Sequence, residues 1–167
     1  IFALYLSNKD PRKFGSLNIG MTNAWRVCGW KVGLLTLAGD LGKSALVLGV
    51  FQAHLTVDEI SLLAFSTVFF HCYSVYLNFK GGKGLASASG ALLIISPFWS
   101  LVLFLIWLSL KTTTKSSSTA AFVTIAGMLV ICFTALYEHQ MGFIAICTLV
   151  AWRHHENAVR LINGTEL

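Results

Sequence analysis

The sequence predicts an all-α protein, a polytopic transmembrane helical bundle of about seven membrane helices, and three observations carry that expectation. Hydrophobic residues make up 56% of the 167 residues and charged residues only 11%, against roughly 25% charged in a soluble domain. The apolar stretches recur along the chain and are broken by short polar links, whereas a barrel would show short segments of alternating hydrophobicity. With the helices laid out in order, all twelve Lys and Arg residues fall on one face of the membrane, as the positive-inside rule requires of a cytoplasmic face. The chain reads as a single membrane domain over 1–167. The net charge of +5 is then a matter of topology and anionic headgroups, and nucleic acid is not implied as a partner.

Ile1 to Leu6 is apolar but too short to cross a bilayer, and the chain starts without Met, so the first helix is expected to be incomplete. Ser7 to Lys31 is a polar link rich in Gly, Asn and Thr. A complete helix is expected at Val32 to Phe51 and another at Ile60 to Leu77, with a link between them that carries Asp58 and Glu59 and neither Lys nor Arg. From Leu85 to Leu110 the sequence is apolar but interrupted by Ser96-Pro97. Lys83 precedes this stretch and Lys111 and Lys115 follow it, so a hairpin turning at Pro97 keeps all three lysines on one side. Each arm of about 13 residues covers only about 20 Å and must be tilted or packed deep in the bundle. A helix at Ala120 to Tyr137, a turn at Glu138 to Gly142, a last helix to Trp152 and a polar tail complete the chain. Cys28, Cys72, Cys132 and Cys147 form no C-x-x-C pair and read as small buried hydrophobes.

Four segments converge on the Lys/Arg face. The hexapeptide Phe79-Lys80-Gly81-Gly82-Lys83-Gly84 places two cations among three glycines directly before an apolar helix. A Gly-rich turn leading into a helix can bring backbone N–H groups up to a phosphate, while lysines alone would need only the positive-inside rule to explain them. His71 lies about two turns earlier; a lone His on an apolar helix is ordinarily a hydrogen-bonded core residue, and contact with substrate is the less common alternative. The segment Gly15 to Asn23 offers Ser16, Asn18, Gly20, Thr22 and Asn23, with Arg26 following, a set suited either to polyhydroxyl or phosphate groups or to a capped turn. Ser116-Ser117-Ser118-Thr119 supplies hydroxyls, at least one of which is expected to cap the next helix. In Arg153-His154-His155-Glu156-Asn157, continued helicity would put His154, Asn157 and Arg160 on one face, although a juxtamembrane basic stop would account for the arginines.

Several chemistries are excluded. Gly42-Lys43-Ser44 resembles the end of a P-loop, but the required earlier Gly is Leu37 and the segment lies in an apolar helix. His54 and Asp58 are one residue too close for the His-x4-Asp motif of many acyltransferases and lie on the opposite face. No paired Cys/His spacing supports zinc.

Taken together, these blocks resemble the acyl-phosphate-dependent glycerol-3-phosphate acyltransferases of bacterial membranes, the PlsY type. Gly15 to Asn23 is similar to that family's Gly-Ser-Gly-Asn-x-Gly-Ala-Thr-Asn loop, Asp40 and Lys43 to the Asp and Lys of its following helix, and His71 to Gly84 to its second block with the Phe-Lys-Gly-Gly-Lys-Gly core intact. Ser117, the run Arg153 to Leu161 and Gly164-Thr165-Glu166 are similar to the third. Leu17 replaces a usual Gly, Met21 a usual Ala, Phe70 a Gly and Ser74 a Pro; the first two are expected to crowd the loop that meets the sugar phosphate.

The resemblance implies transfer of a fatty acyl group from acyl phosphate to the 1-hydroxyl of glycerol 3-phosphate, in a bacterial inner membrane with the active face cytoplasmic, giving lysophosphatidic acid and phosphate without a cofactor. Its partners would be glycerol 3-phosphate, a fatty acyl phosphate and membrane lipids. Because the donor is an activated anhydride, the protein has mainly to neutralise two phosphates and align a hydroxyl. The catalytic candidates are His154, Asn157, Ser117, Ser16 and Lys83; the binding candidates are Asn18, Gly20, Thr22, Asn23, Arg26, His71, Lys80, Gly81, Gly82 and Arg160. Either His154 or a substrate phosphate oxygen takes the hydroxyl proton.

Overall fold

A computed structural model describes residues 2–166, which form α-helices α1 (Phe2–Ser7), α2 (Met21–Cys28), α3 (Trp30–Phe51), α4 (Val57–Cys72), α5 (Leu85–Ile95), α6 (Pro97–Thr113), α7 (Ser117–Thr134), α8 (Gln140–Arg153) and α9 (His155–Ile162), joined by short 3-10 turns and loops. Trp30–His54, Val57–Leu77 and Ser117–Thr134 are long and apolar enough to cross a membrane, while α5 and α6 are apolar but shorter. α5 lies inside the bundle, packed most extensively on α3 and also against α4 and α6; α8 bridges α4 and α7. The core is a layer of Leu48, Val68, Leu92, Met128, Phe143, Ile146 and Val150. Helices in lipid gain no hydrophobic drive to associate, so small residues let their backbones approach. Gly90 shows this: a Cβ there would lie 2.1 Å from the Leu41 carbonyl oxygen, and one turn earlier the Ser87 hydroxyl donates to the Asp40 carbonyl across 3.1 Å.

The outer faces carry Leu46, Val50, Leu62, Leu101, Val130 and Phe133, all exposed. So continuous an apolar surface is the lipid-facing surface of a membrane bundle. At the end of the bundle away from the cations, Thr56 caps α4 in a reciprocal box with Glu59, and the Ser61 hydroxyl pairs with His139 Nδ1 at 2.9 Å.

The expected hairpin is present. Ser96 takes φ −149°, ψ 85°, Pro97 occupies the first turn of α6, where its missing N–H costs nothing, and the Ser100 hydroxyl donates back to the Ser89 carbonyl at 3.2 Å. Leu85, Ala86 and Ser89 on one arm line the same cavity as Leu103, Phe104 and Trp107 on the other.

Three details differ from the sequence reading. The polar link of residues 7–31 contains a helix, α2, separated from α3 only by Gly29 at φ 91°; its polar face concealed it, because a short helix at a membrane edge needs no apolar run. α4 stops at Cys72, and Val75–Leu77 is a separate 3-10 turn. Lys43 belongs to no link: it starts within α3, eight residues from its far end, pairs with Asp40 at 3.0 Å, and its ammonium reaches His71 and the cleft lined by Ile19, Ser74 and Leu77. Every other Lys and Arg belongs to the links at one end, or to the adjoining helix turns.

Candidate active site

The N-terminal loop is ordered by one side chain. Asn23, 2% exposed on α2, donates from its amide nitrogen to the carbonyls of Pro11 (2.8 Å), Phe14 (3.0 Å) and Asn18 (2.9 Å), and accepts the Ser16 N–H at 2.9 Å. Its polar atoms are thus committed to the loop: Asn23 lines the cavity as a structural keystone. Asn18 accepts the Gly20 N–H at 2.8 Å, which places Gly20 at the N-cap of α2. Ser16, Asn18, Gly20, Thr22 and Arg26 all reach the cavity wall. Met21 lines it too, as its departure from Ala suggested. Leu17 does not crowd it: the side chain is exposed and the residue sits at φ 59°, the left-handed region that the family's usual Gly adopts freely.

The hexapeptide divides its labour differently from the sequence reading. Gly81 N–H donates to the Cys72 carbonyl (3.1 Å) and Gly82 N–H to the His71 carbonyl (3.2 Å). On the other side, the Arg153 guanidinium donates to the carbonyls of Gly81 (3.2 Å) and Gly82 (3.3 Å) and sits over the Tyr73 ring at 5.2 Å. Neither glycine lines the cavity and neither has positive φ. They are glycines because a Cβ would meet the His71 carbonyl oxygen at 2.0 Å from Gly81, or His71 Nε2 at 2.1 Å from Gly82. Lys80 is likewise outside: it is exposed and off the cavity wall. The groups turned inward are Lys83 and Gly84, the latter at φ 90° as N-cap of α5, so the first turn of α5, with Leu85 and Ala86, faces the cavity. The opening N–H groups of a helix have no partner within it and attract anions.

His71 is buried at the junction of this turn with α3. Its Nδ1 is in contact with Lys43 Nζ and lies 3.4 Å from Asp40 Oδ1. Asp40 and His71 line the cavity, whereas Lys43 faces a second cleft of about 430 Å³ between α3 and α4. An Asp and a Lys three residues apart in an otherwise apolar helix are the signal that could have placed Asp40 at the site from sequence alone.

The three serines have three roles. Ser116 caps α7, accepting the Thr119 N–H at 3.1 Å; Ser117 lines the cavity; Ser118, 1% exposed, accepts from the Asn157 amide and donates to Glu166. Asn157 in turn accepts from Lys83 Nζ, and Arg160 donates to Glu166 across 3.4 Å. His154 occupies the break between α8 and α9, 5% exposed, with Nδ1 2.7 Å from the Val150 carbonyl and its ring edge-on to Phe122. A carbonyl only accepts, so Nδ1 carries the proton and Nε2 is left with its lone pair. Burial pushes the imidazole pKa down to about 4, with Lys83 and Arg153 adding to the effect against the Val150 hydrogen bond and Glu166. Burial also lowers Lys83 to about 8, assisted by Arg160 and Arg153 and opposed by Glu156 and Glu166.

The resulting cavity of about 180 Å³ is polar and cationic at one end, with Arg26, Lys83 and Arg160, and apolar along Leu37, Leu41, Leu103, Phe104 and Trp107. Such a site can hold an anionic headgroup at the interface while an alkyl chain lies among helices. Among the described residues no three His, Cys, Asp or Glu side chains are grouped to hold a metal.

The model of the family described as glycerol-3-phosphate acyltransferase matches residues 1–164. A protein of that name from Neisseria gonorrhoeae is 38% identical, over 99% of this chain and 86% of its own; one from Syntrophotalea carbinolica is 38% identical over 94% and 82%; one from Paraburkholderia phymatum is 35% identical over 94% and 78%. The crystal structure of PlsY (YgiH), an integral membrane glycerol 3-phosphate acyltransferase, in its glycerol 3-phosphate form superposes with a TM-score of 0.91 at 31% identity, covering 99% of this chain and 86% of that one. Its lysophosphatidic acid form gives 0.84 at 30% identity over 92% and 80%. With nearly its whole length matched in sequence and in fold, the chain belongs to the PlsY-type glycerol-3-phosphate acyltransferase family.

Proposed function

We propose that this protein transfers a fatty acyl group from acyl phosphate to the 1-hydroxyl of sn-glycerol 3-phosphate, releasing lysophosphatidic acid and inorganic phosphate, and that its cationic end faces the cytoplasm of a bacterial inner membrane. The observation that carries the reading is the single cavity whose cationic end meets the first turn of α5 and whose remaining wall is apolar. The name shared by the relatives supports glycerol 3-phosphate as the acceptor.

In the reaction the acceptor hydroxyl oxygen bonds to the acyl carbonyl carbon, the carbon–oxygen bond to phosphate breaks, and phosphate departs with the electron pair. Lys83 and the α5 N-terminus neutralise one phosphate; Arg26 and Arg160 take the other. Ser16, Asn18, Thr22 and Ser117 hold the glycerol backbone. Asn157 acts through Lys83, since both ends of its amide are engaged by protein. His154 Nε2 accepts a hydrogen bond from the attacking hydroxyl and aligns it. An imidazole of pKa about 4 is a weaker base than a phosphate whose second pKa is about 6, so the proton goes to the phosphate oxygen of the substrate.

Labelled glycerol 3-phosphate supplied to membranes with acyl phosphate, acyl-CoA or neither tests the reading. Labelled lysophosphatidic acid should form with acyl phosphate alone. Product from acyl-CoA alone, or from neither arm, overturns the donor assignment or the enzymatic reading respectively.

A further inference from the structure

Lys83 is connected to the C-terminal end of the chain by an unbroken line of side chains. Its ammonium donates to Asn157 Oδ1, Asn157 Nδ2 donates to Ser118 Oγ, and the Ser118 hydroxyl donates to Glu166 Oε1. Arg160 Nε then donates to Glu166 Oε2 across 3.4 Å. An ammonium has no acceptor and a carboxylate no donor, so these two ends allow the amide and the hydroxyl between them only one orientation. Ser118 and Asn157 are 1% and 7% exposed, so water offers them little alternative.

We infer that Glu166 is a positioning residue: acting through Ser118, it fixes the amide of Asn157 with its oxygen toward Lys83 and thereby holds the Lys83 ammonium in the cavity. Without the carboxylate the Asn157 amide can turn its NH₂ group toward Lys83, setting donor against donor. The inference rests on the reading that Lys83 meets a substrate phosphate.

Two carboxylates favour the Lys83 ammonium, Glu156 and Glu166, and Glu166 is the one joined to it through side chains. Arg153 on α8 and Arg160 on α9 oppose the ammonium, and Glu156 and Glu166 favour it; His154 lies beside it, and Arg26, Asp40 and His71 line the same cavity from α2, α3 and α4. The Glu156 side chain is 63% exposed and that of Glu166 only 13%, so solvent screens the first far more than the second.

The test compares Glu166→Gln and Ser118→Ala with the parent chain in native membranes. Two quantities are read against pH: kcat, and labelling of the Lys83 amine by acetic anhydride followed by mass spectrometry, which needs no turnover. Glu166→Gln should move the Lys83 titration, and the basic limb of kcat with it, to lower pH by about half a unit to one unit. Ser118→Ala keeps the carboxylate but cuts the line, so kcat should fall about tenfold and the Lys83 titration should move in the same direction, by less because the charge of Glu166 remains. An unmoved Lys83 titration in Glu166→Gln overturns the inference, as does parental kcat in Ser118→Ala, a substitution small enough to fold if Glu166→Gln does not. Should the parent give no product from acyl phosphate, the functional reading fails while the labelling arm still decides the placement of Lys83.

Discussion

Leu17 carries a backbone cost, since φ 59° disfavours a side chain by about 1–2 kcal/mol and its leucyl group gains little from burial at 62% exposed. Leu17→Gly removes that strain but adds chain entropy to the unfolded state, for a net stabilisation of about 0.5–1 kcal/mol. The expected outcome is a higher Tm in detergent with unchanged KM for glycerol 3-phosphate; a raised KM would mean that the side chain contacts substrate. At His154 the pH profile of kcat separates two mechanisms. The ammonium of Lys83 persists below about pH 8, so the rate should fall as pH rises through that value. With phosphate as proton acceptor, His154→Ala lowers kcat by about 10-fold to 100-fold through lost alignment but keeps the acid limb of the parent. A parental limb near pH 4 that vanishes in His154→Ala would make the imidazole the base.

At the scale of elements, the turn at residues 79–84 works as a plate clamped between the C-terminus of α4 and Arg153 on α8. Gly82→Ala drives a methyl group into the His71 ring, so it should cost about 1–3 kcal/mol as an overpacked site, lowering the amount of folded protein together with turnover. Adding His71→Ala makes room for that methyl, so the pair should be less harmful than the sum of its parts; strict additivity in a thermal melt would show that the clash is not the cause. The same turn shows why the hexapeptide could be recognised but not apportioned. Two lysines three residues apart look equivalent in sequence, yet Lys83 enters the cavity and Lys80 leaves it because Gly81 and Gly82 are pinned by partners from α4 and α8.

Across the whole molecule, the hairpin of α5 and α6 returns Lys111 to the end of the bundle that holds Lys83, where Arg26 and Glu166 act on its charge. Single cysteines at Lys80 and Lys115, in a variant lacking the native cysteines, should therefore be labelled from one side of the membrane and cysteines at Asp58 and Tyr137 from the other. Labelling of Lys80 and Lys115 from opposite sides would unfold the hairpin into a single crossing. The helical class, the hairpin and the segments gathered at one end were legible in the sequence, because hydrophobic run length, a Pro break and the sidedness of Lys and Arg are each imposed by the bilayer on the chain itself. What only the tertiary structure decided is which polar atoms remain for a ligand. Asn23, Gly81 and Gly82 spend theirs on the scaffold, Ser118 engages both Asn157 and Glu166, and the first turn of α5 lines the cavity where the two glycines do not. Those assignments depend on partners far apart in sequence, and a buried hydrogen-bonding group is committed by whichever neighbour the packing brings to it.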